Sequence, residues 1–177
     1  SLAVTSPNTA VTWYRGDIQN VTWTRAGTTG TMTGNVDIHY TPDNGSNYYA
    51  ISVNNVLASA GTYPWAIPTD APNDTVQSET VKVRVRLSSD TAVSDESNVN
   101  FKIKPRLTLT APNTNVAWIV GASQNITWTT AGSVPKVKLS YSTTGGSPYS
   151  NSIVADLSNV NSYAWTIPDA IGTQLRV

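Results

Sequence analysis

Cysteine is absent from the 177-residue chain, so it can form no disulfide, thiolate metal site or cysteine nucleophile. The inter-sheet bridge of vertebrate immunoglobulin domains is excluded with it. Charge is scarce too: Asp, Glu, Lys and Arg make up 12% of the chain, and 11 cations balance 11 anions. A phosphate-binding surface needs surplus cations to displace counterions, so this balance argues against nucleic acid as a partner. There is one His, and G-x-S-x-G, H-E-x-x-H and a phosphate-binding Gly loop are all missing. No run approaches the roughly 18 apolar residues of a membrane span. No basic, apolar leader precedes the first strand-like segment, the pattern of a mature or excised piece.

What the chain does contain is Thr, Ser and Asn in abundance, a neutral hydroxyl- and amide-rich surface common outside cells. It also contains a repeat. Gln19-Asn20-Val21-Thr22-Trp23-Thr24 recurs as Gln124-Asn125-Ile126-Thr127-Trp128-Thr129, at an offset of 105. The same offset carries Pro7-Asn8 onto Pro112-Asn113, Trp13 onto Trp118 and Gly16 onto Gly121. Further on, Val36-Asp37-Ile38-His39-Tyr40 matches Val137-Lys138-Leu139-Ser140-Tyr141 at 101, and Tyr63-Pro64-Trp65-Ala66-Ile67-Pro68 matches Tyr163-Ala164-Trp165-Thr166-Ile167-Pro168 at 100. Val83-Arg84-Val85 aligns with Leu175-Arg176-Val177 at 92. The shrinking offset assigns the lost residues to loops.

Within each copy apolar residues alternate with polar ones, the period of a strand with one buried face. In Val81-Lys82-Val83-Arg84-Val85-Arg86-Leu87 four apolar positions point inward and three cations outward. The spacing predicts seven strands in the first copy, near 2–6, 18–25, 35–41, 48–56, 62–67, 79–87 and 97–104. Pro42-Asp43-Asn44-Gly45 and Thr144-Gly145-Gly146 supply turn chemistry between them. The predicted fold is therefore all-β: two tandem immunoglobulin/fibronectin-III-like β-sandwiches, residues 1–104 and 105–177. The second is expected to lack its last strand, the counterpart of Ser97 to Ile103. Either the parent chain continues, or another chain supplies that strand by β-augmentation.

The order Ser6-Pro7-Asn8, Trp13, Gly16, Asn20-Val21-Thr22-Trp23, Tyr63-Pro64-Trp65-Ala66-Ile67-Pro68 and Val83-Arg84-Val85 resembles the immunoglobulin-like repeats of bacterial surface and secreted proteins. It is also similar to the Ser/Thr-rich GPI-anchored repeat of yeast cell-wall glucan-assembly proteins. The resemblance covers both copies and implies an exported, wall- or surface-associated β-sandwich in tandem arrays, of surface-layer or stalk type. It carries over no catalytic residue, and the Ser/Thr-rich tails of the yeast members have no counterpart here.

All six Trp fall at equivalent places, and the alternation of Trp23 and Trp65 with Val21 and Ile67 assigns them to packing rather than to sugar stacking. Tyr48, Tyr49 and Tyr149 lie near a strand start after a turn, where alternation turns at least one ring of the pair outward; these are the candidate ligand or lattice contacts. His39 is expected to face outward beside Asp37, with Ser140 in its place in the second copy. The row Lys82, Arg84 and Arg86 is expected to be a solvated face that discourages edge pairing. Asp43-Asn44-Gly45-Ser46-Asn47 has the oxygen-rich look of a calcium loop but reads as a turn, since Thr143 to Ser147 carries no carboxylate. No catalytic residue, metal site or cofactor is expected.

The function expected is a non-enzymatic structural module of a prokaryotic cell-surface or secreted protein. It would act as spacer and assembly contact in a surface layer, sheath, stalk or filament, with other copies or neighbouring domains of the same protein as partners. The alternative is a carbohydrate-binding or adhesive module on cell-wall glycan, an appendage of a secreted hydrolase. A third reading is a noncatalytic piece of a larger enzyme. The location expected is extracellular, at the cell surface or cell wall.

Overall fold

The alternation of Val81, Val83, Val85 and Leu87 with Lys82, Arg84 and Arg86 becomes strand β7, Ser78–Leu87, whose four apolar side chains are all buried. Around it the computed structural model, which describes residues 1–26, 33–69 and 76–177, divides into two compact units, Ser1–Arg106 and Leu107–Val177.

The first unit contains β1 (Leu2–Ser6), β2 (Thr12–Tyr14), β3 (Ile18–Arg25), β4 (Asn35–Thr41), β5 (Tyr49–Leu57), β6 (Thr62–Ala66), β7, β8 (Ser94–Glu96) and β9 (Phe101–Lys104). One sheet runs β1-β3-β6; the other runs β2-β9-β7-β4-β5, with β8 also paired to β7. The larger sheet is antiparallel except for β2, which lies parallel to β9. Inward residues of both sheets make one core, from Val4, Val21 and Trp23 on one side to Ile38, Val83 and Phe101 on the other. This is an all-β sandwich of immunoglobulin/fibronectin-III type.

Among the described residues the seven expected strands are present, and two more accompany them. Strands β2 and β8 are three residues long, too short for alternation to register. The strand expected over 97–104 is shorter than expected: β9 begins only at Phe101 and runs to Lys104.

The second unit contains β10 (Arg106–Ala111), β11 (Ser123–Ala131), β12 (Lys136–Tyr141), β13 (Asn151–Ser158) and β14 (Ser162–Thr166). They pair as β10-β11-β14 and β12-β13. Its core is Ile126, Trp128, Val137 and Leu139, with Tyr163, Trp165 and Val177 packed against them.

The registers of the two units coincide. Ile18 faces Ala66 and Gln19 faces Trp65, just as Ser123 faces Thr166 and Gln124 faces Trp165. Strands β4 and β5 slip register twice, at Val36/Ile38 and Ile38/His39; β12 and β13 slip at Val137/Leu139 and Leu139/Ser140. The hydroxyls of Thr5 and Thr22 are 2.7 Å apart, as are those of Thr110 and Thr127. Trp23 N–H donates to Gly61 O at 3.0 Å and Trp128 N–H to Asn161 O at 3.2 Å. Gly61 and Asn161 have φ of 67° and 64°, a left-handed conformation that Gly and Asn adopt more readily than other residues.

One alignment is corrected by register. Thr41 faces Lys82, and its counterpart Ser142 faces Arg176. Leu175-Arg176-Val177 therefore corresponds to Val81-Lys82-Val83, at an offset of 94, not to Val83-Arg84-Val85. An apolar-cation-apolar pattern of period two reads the same after a two-residue slip.

Candidate functional site

Strand β4 is central in its sheet, between β5 and β7, and six of its seven residues are buried on both faces. His39 therefore does not face solvent as expected: it is 9% exposed, and Asp37 is 5% exposed. The cover comes from the long side chains opposite. Asp37 is paired across the sheet with Arg86, and His39 with Arg84. The Asp37 carboxylate accepts from Arg86 Nε at 3.2 Å, Ser88 Oγ at 2.6 Å and Asn54 N–H at 2.9 Å. Burial by itself would raise the Asp37 pKa; the bonds from Ser88, Asn54 and Arg86 outweigh it and hold it below 3.8.

The cationic row is likewise not a free solvated face. Lys82 Nζ lies 3.2 Å from Glu96 Oε1, and Arg84 Cζ sits 3.5 Å from the centre of the Tyr48 ring. Tyr48 Oη donates to Glu96 Oε2. Burial first, then the hydrogen bond and charge of Glu96, raise the Tyr48 pKa above 10.0. Tyr48 is thus half-buried as a lid over Arg84, with its hydroxyl committed.

Tyr49 turns the other way. Its ring stacks on Tyr40 with centres 5.3 Å apart, and Tyr40 stacks on Trp65 at the same distance. Trp65 meets Trp13 edge-on at 6.2 Å, and Trp13 meets Phe101 at 4.7 Å. Offset and edge-to-face contacts of this kind add to plain area burial. The outer end of this series opens into a cleft of about 550 Å³ lined by Tyr40, Tyr49, Tyr63, Pro64 and Trp65 among others. It lies where β5, the edge of the larger sheet, faces β6, the edge of the smaller. Half-buried Tyr49 and Tyr63 with apolar walls make a surface suited to a flat or ring-shaped ligand.

Tyr149 does not join such a site. It precedes β13, is 42% exposed, and register places Asn151, not Tyr149, opposite Tyr141 where Tyr49 stands opposite Tyr40. The three tyrosines therefore occupy three different settings. Arg15, which the sequence did not single out, is fully buried; its Nε donates to Pro68 O at 2.9 Å. Nothing in the local pattern signals that burial.

The Asp43 turn binds itself. Oδ1 accepts from Asn47 N–H and Thr41 Oγ1, both at 2.8 Å, and Oδ2 from Asn47 Nδ2 at 2.6 Å. The bonds from Asn47, above all, pull its pKa down to about 2.

His39 gives a measurable signature. Its burial, with the charges of Arg86 and Arg84 added, lowers its pKa below 6.5, against a smaller opposing effect of Asp37. As pH falls below the unfolded value, the unfolded chain binds a proton first and stability declines, levelling only below the folded pKa. Thermal unfolding from about pH 7 to about pH 5 should show this decline. His39→Ser, matching Ser140, should flatten it; an unchanged slope would place His39 in solvent.

The first unit is thus an immunoglobulin/fibronectin-III-like sandwich that carries an aromatic cleft between its β5 and β6 edges. No family model matches the chain, and no curated protein matches it. A solved structure of the fibronectin(III)-like modules of Clostridium thermocellum CbhA is similar at 20% identity, over 94% of this chain and 78% of that one, with a TM-score of 0.29.

Proposed function

We propose that this chain is a non-enzymatic structural repeat module of a prokaryotic cell-surface or secreted protein, with residues 1–104 and 105–177 as successive copies of one folding unit. Its work is that of spacer and assembly contact in a surface layer, sheath, stalk or filament, outside the cell, and its partners are other copies or neighbouring domains of the same protein. The observation that carries the reading is the recurrence of one scheme of registers, slips and Trp backbone bonds in both units. A chain that reuses one sandwich suits an array, in which each copy adds length. The resemblance to bacterial surface repeats and to the yeast cell-wall repeat supports the same reading. Three carboxylate contacts on the larger sheet are internal to it: Asp37 with Arg86, and Glu96 with Lys82 and with Tyr48.

Negative-stain images of the parent protein from its native source are expected to show a lattice, fibre or stalk. Dispersed, featureless particles would overturn the assembly role.

The aromatic cleft favours a second reading, a carbohydrate-binding or adhesive module. On a glycan array or in a wall-polysaccharide pulldown, saturable binding that Tyr49→Ala removes and Tyr149→Ala leaves intact would establish it. Absence of binding by the wild type leaves the spacer reading in possession.

A further inference from the structure

Alternation along two strands brings four side chains together. On β5 Tyr49 and Ile51 share the inward face, and on β6 Tyr63 and Trp65 do. With Tyr40 and Pro64 they line the cleft of about 550 Å³ between the β5 and β6 edges.

Core packing accounts for the buried part of these side chains but not for their polar ends. Tyrosine hydroxyls and indole N–H groups that leave water usually take a partner. Tyr48 Oη is held by Glu96, and Trp23 and Trp128 donate their Nε1–H to Ala58 O and Asn159 Oδ1. The hydroxyls of Tyr49 and Tyr63 and the Nε1–H of Trp65 have no hydrogen-bond partner among the described residues, although Trp65 is only 5% exposed. Tyr49 also ends its stack. Tyr40 covers one face of its ring, and among the described residues no ring meets the other.

The lining selects its ligand by charge and shape. No Asp, Glu, Lys or Arg lines the cleft, so a charged group entering it would lose hydration without gaining a countercharge. A free aromatic face takes flat C–H surface, and a phenol hydroxyl both donates and accepts, as a sugar hydroxyl does. A hexopyranose ring with equatorial hydroxyls offers both, C–H bonds on its faces and hydroxyls round its rim.

We infer that this cleft binds an uncharged hexopyranose chain, one ring stacked on the free face of Tyr49 and hydroxyls of the chain bonded to Tyr49 Oη and Tyr63 Oη. The inference rests on the carbohydrate-binding reading and narrows it to one site and to neutral glycan. The second unit lacks this arrangement. Tyr141, Tyr163 and Trp165 recur there, but Asn151 stands opposite Tyr141 where Tyr49 stands opposite Tyr40, and its Nδ2 donates to Tyr141 O at 3.3 Å.

The test titrates the whole 177-residue chain calorimetrically with cellohexaose and, as the charged counterpart, with hexagalacturonate. Saturable binding of cellohexaose is expected, with hexagalacturonate at least about tenfold weaker. Tyr49→Asn, the residue that the second unit carries, should abolish it. Tyr49→Phe and Tyr63→Phe keep the rings and should each weaken binding roughly fivefold, the loss of one hydrogen bond. Neither hydroxyl is bonded within the described protein, so both Phe variants should keep the wild-type thermal midpoint and separate a lost site from a lost fold.

If hexagalacturonate binds as tightly as cellohexaose, the neutral-glycan inference falls and the carbohydrate-binding reading stands. Binding that Tyr49→Asn and both Phe variants leave unchanged places the site elsewhere and overturns the inference too. If cellohexaose fails while a wall polysaccharide still binds, only the inference falls. If no glycan binds in either assay, the carbohydrate-binding reading falls with it, and saturable binding of decaproline would then assign the cleft to extended peptide.

Discussion

Trp23→Ala is expected to destabilise the first unit by about 3–5 kcal/mol, the range for deleting a buried indole from a packed core. The ring is buried beneath both sheets, and its Nε1–H donates to Ala58 O at 3.0 Å, so the change opens a cavity and leaves a buried carbonyl without its donor. For a unit of this size the loss corresponds to a fall of roughly 15 °C or more in its thermal midpoint. Trp118→Ala provides the contrast. Its half-buried ring has less contact to lose, and its cost should be under about half that of Trp23→Ala. Equal costs, or a Trp23→Ala effect below about 1 kcal/mol, would mean that the indoles do not sit as described.

Asp37→Ala is the second large effect, at about 2–4 kcal/mol. It removes the acceptor for Ser88, Asn54 and Arg86 together and leaves the Arg86 guanidinium without its carboxylate partner. The Arg86 side chain is 29% exposed, so water offsets part of the loss and the figure falls short of a fully buried pair. Asp37→Asn keeps an acceptor and should cost less. The sign with pH is fixed by linkage: because folding lowers the Asp37 pKa, its contribution is full above about 3.8 and declines as pH falls through the folded value. Asp37→Asn should therefore flatten the acid limb of the stability curve, measured by urea unfolding. A variant with unchanged midpoint in neutral buffer would show that the carboxylate holds nothing together.

The strands of the first unit were legible because each records its own environment. In β7 every second residue is apolar, and in β3 Val21 and Trp23 alternate with Thr22 and Thr24; both patterns need only local inspection. The sequence repeat was legible for the same reason, since the Trp positions and Gly16 and Gly121 recur in matched segments. The candidate site was less so. Tyr48 and Tyr49 adjoin in sequence but turn to opposite faces, one over Arg84 and the other onto Tyr40, and Tyr149 has the residue type without the register position.

The sequence by itself determined the all-β class, the inward faces of the longer strands and the recurrence of matched sequence landmarks, because period-two burial and turn chemistry act over a few residues. Only the tertiary structure decided what covers the other face of β4, since His39 and Asp37 are covered by side chains arriving from β7 rather than by neighbours in sequence. It alone also decided the pairing of three-residue strands and the alignment of Leu175 to Val177. A period of two cannot distinguish a strand from itself moved by two residues, and a hydrogen-bonded partner can.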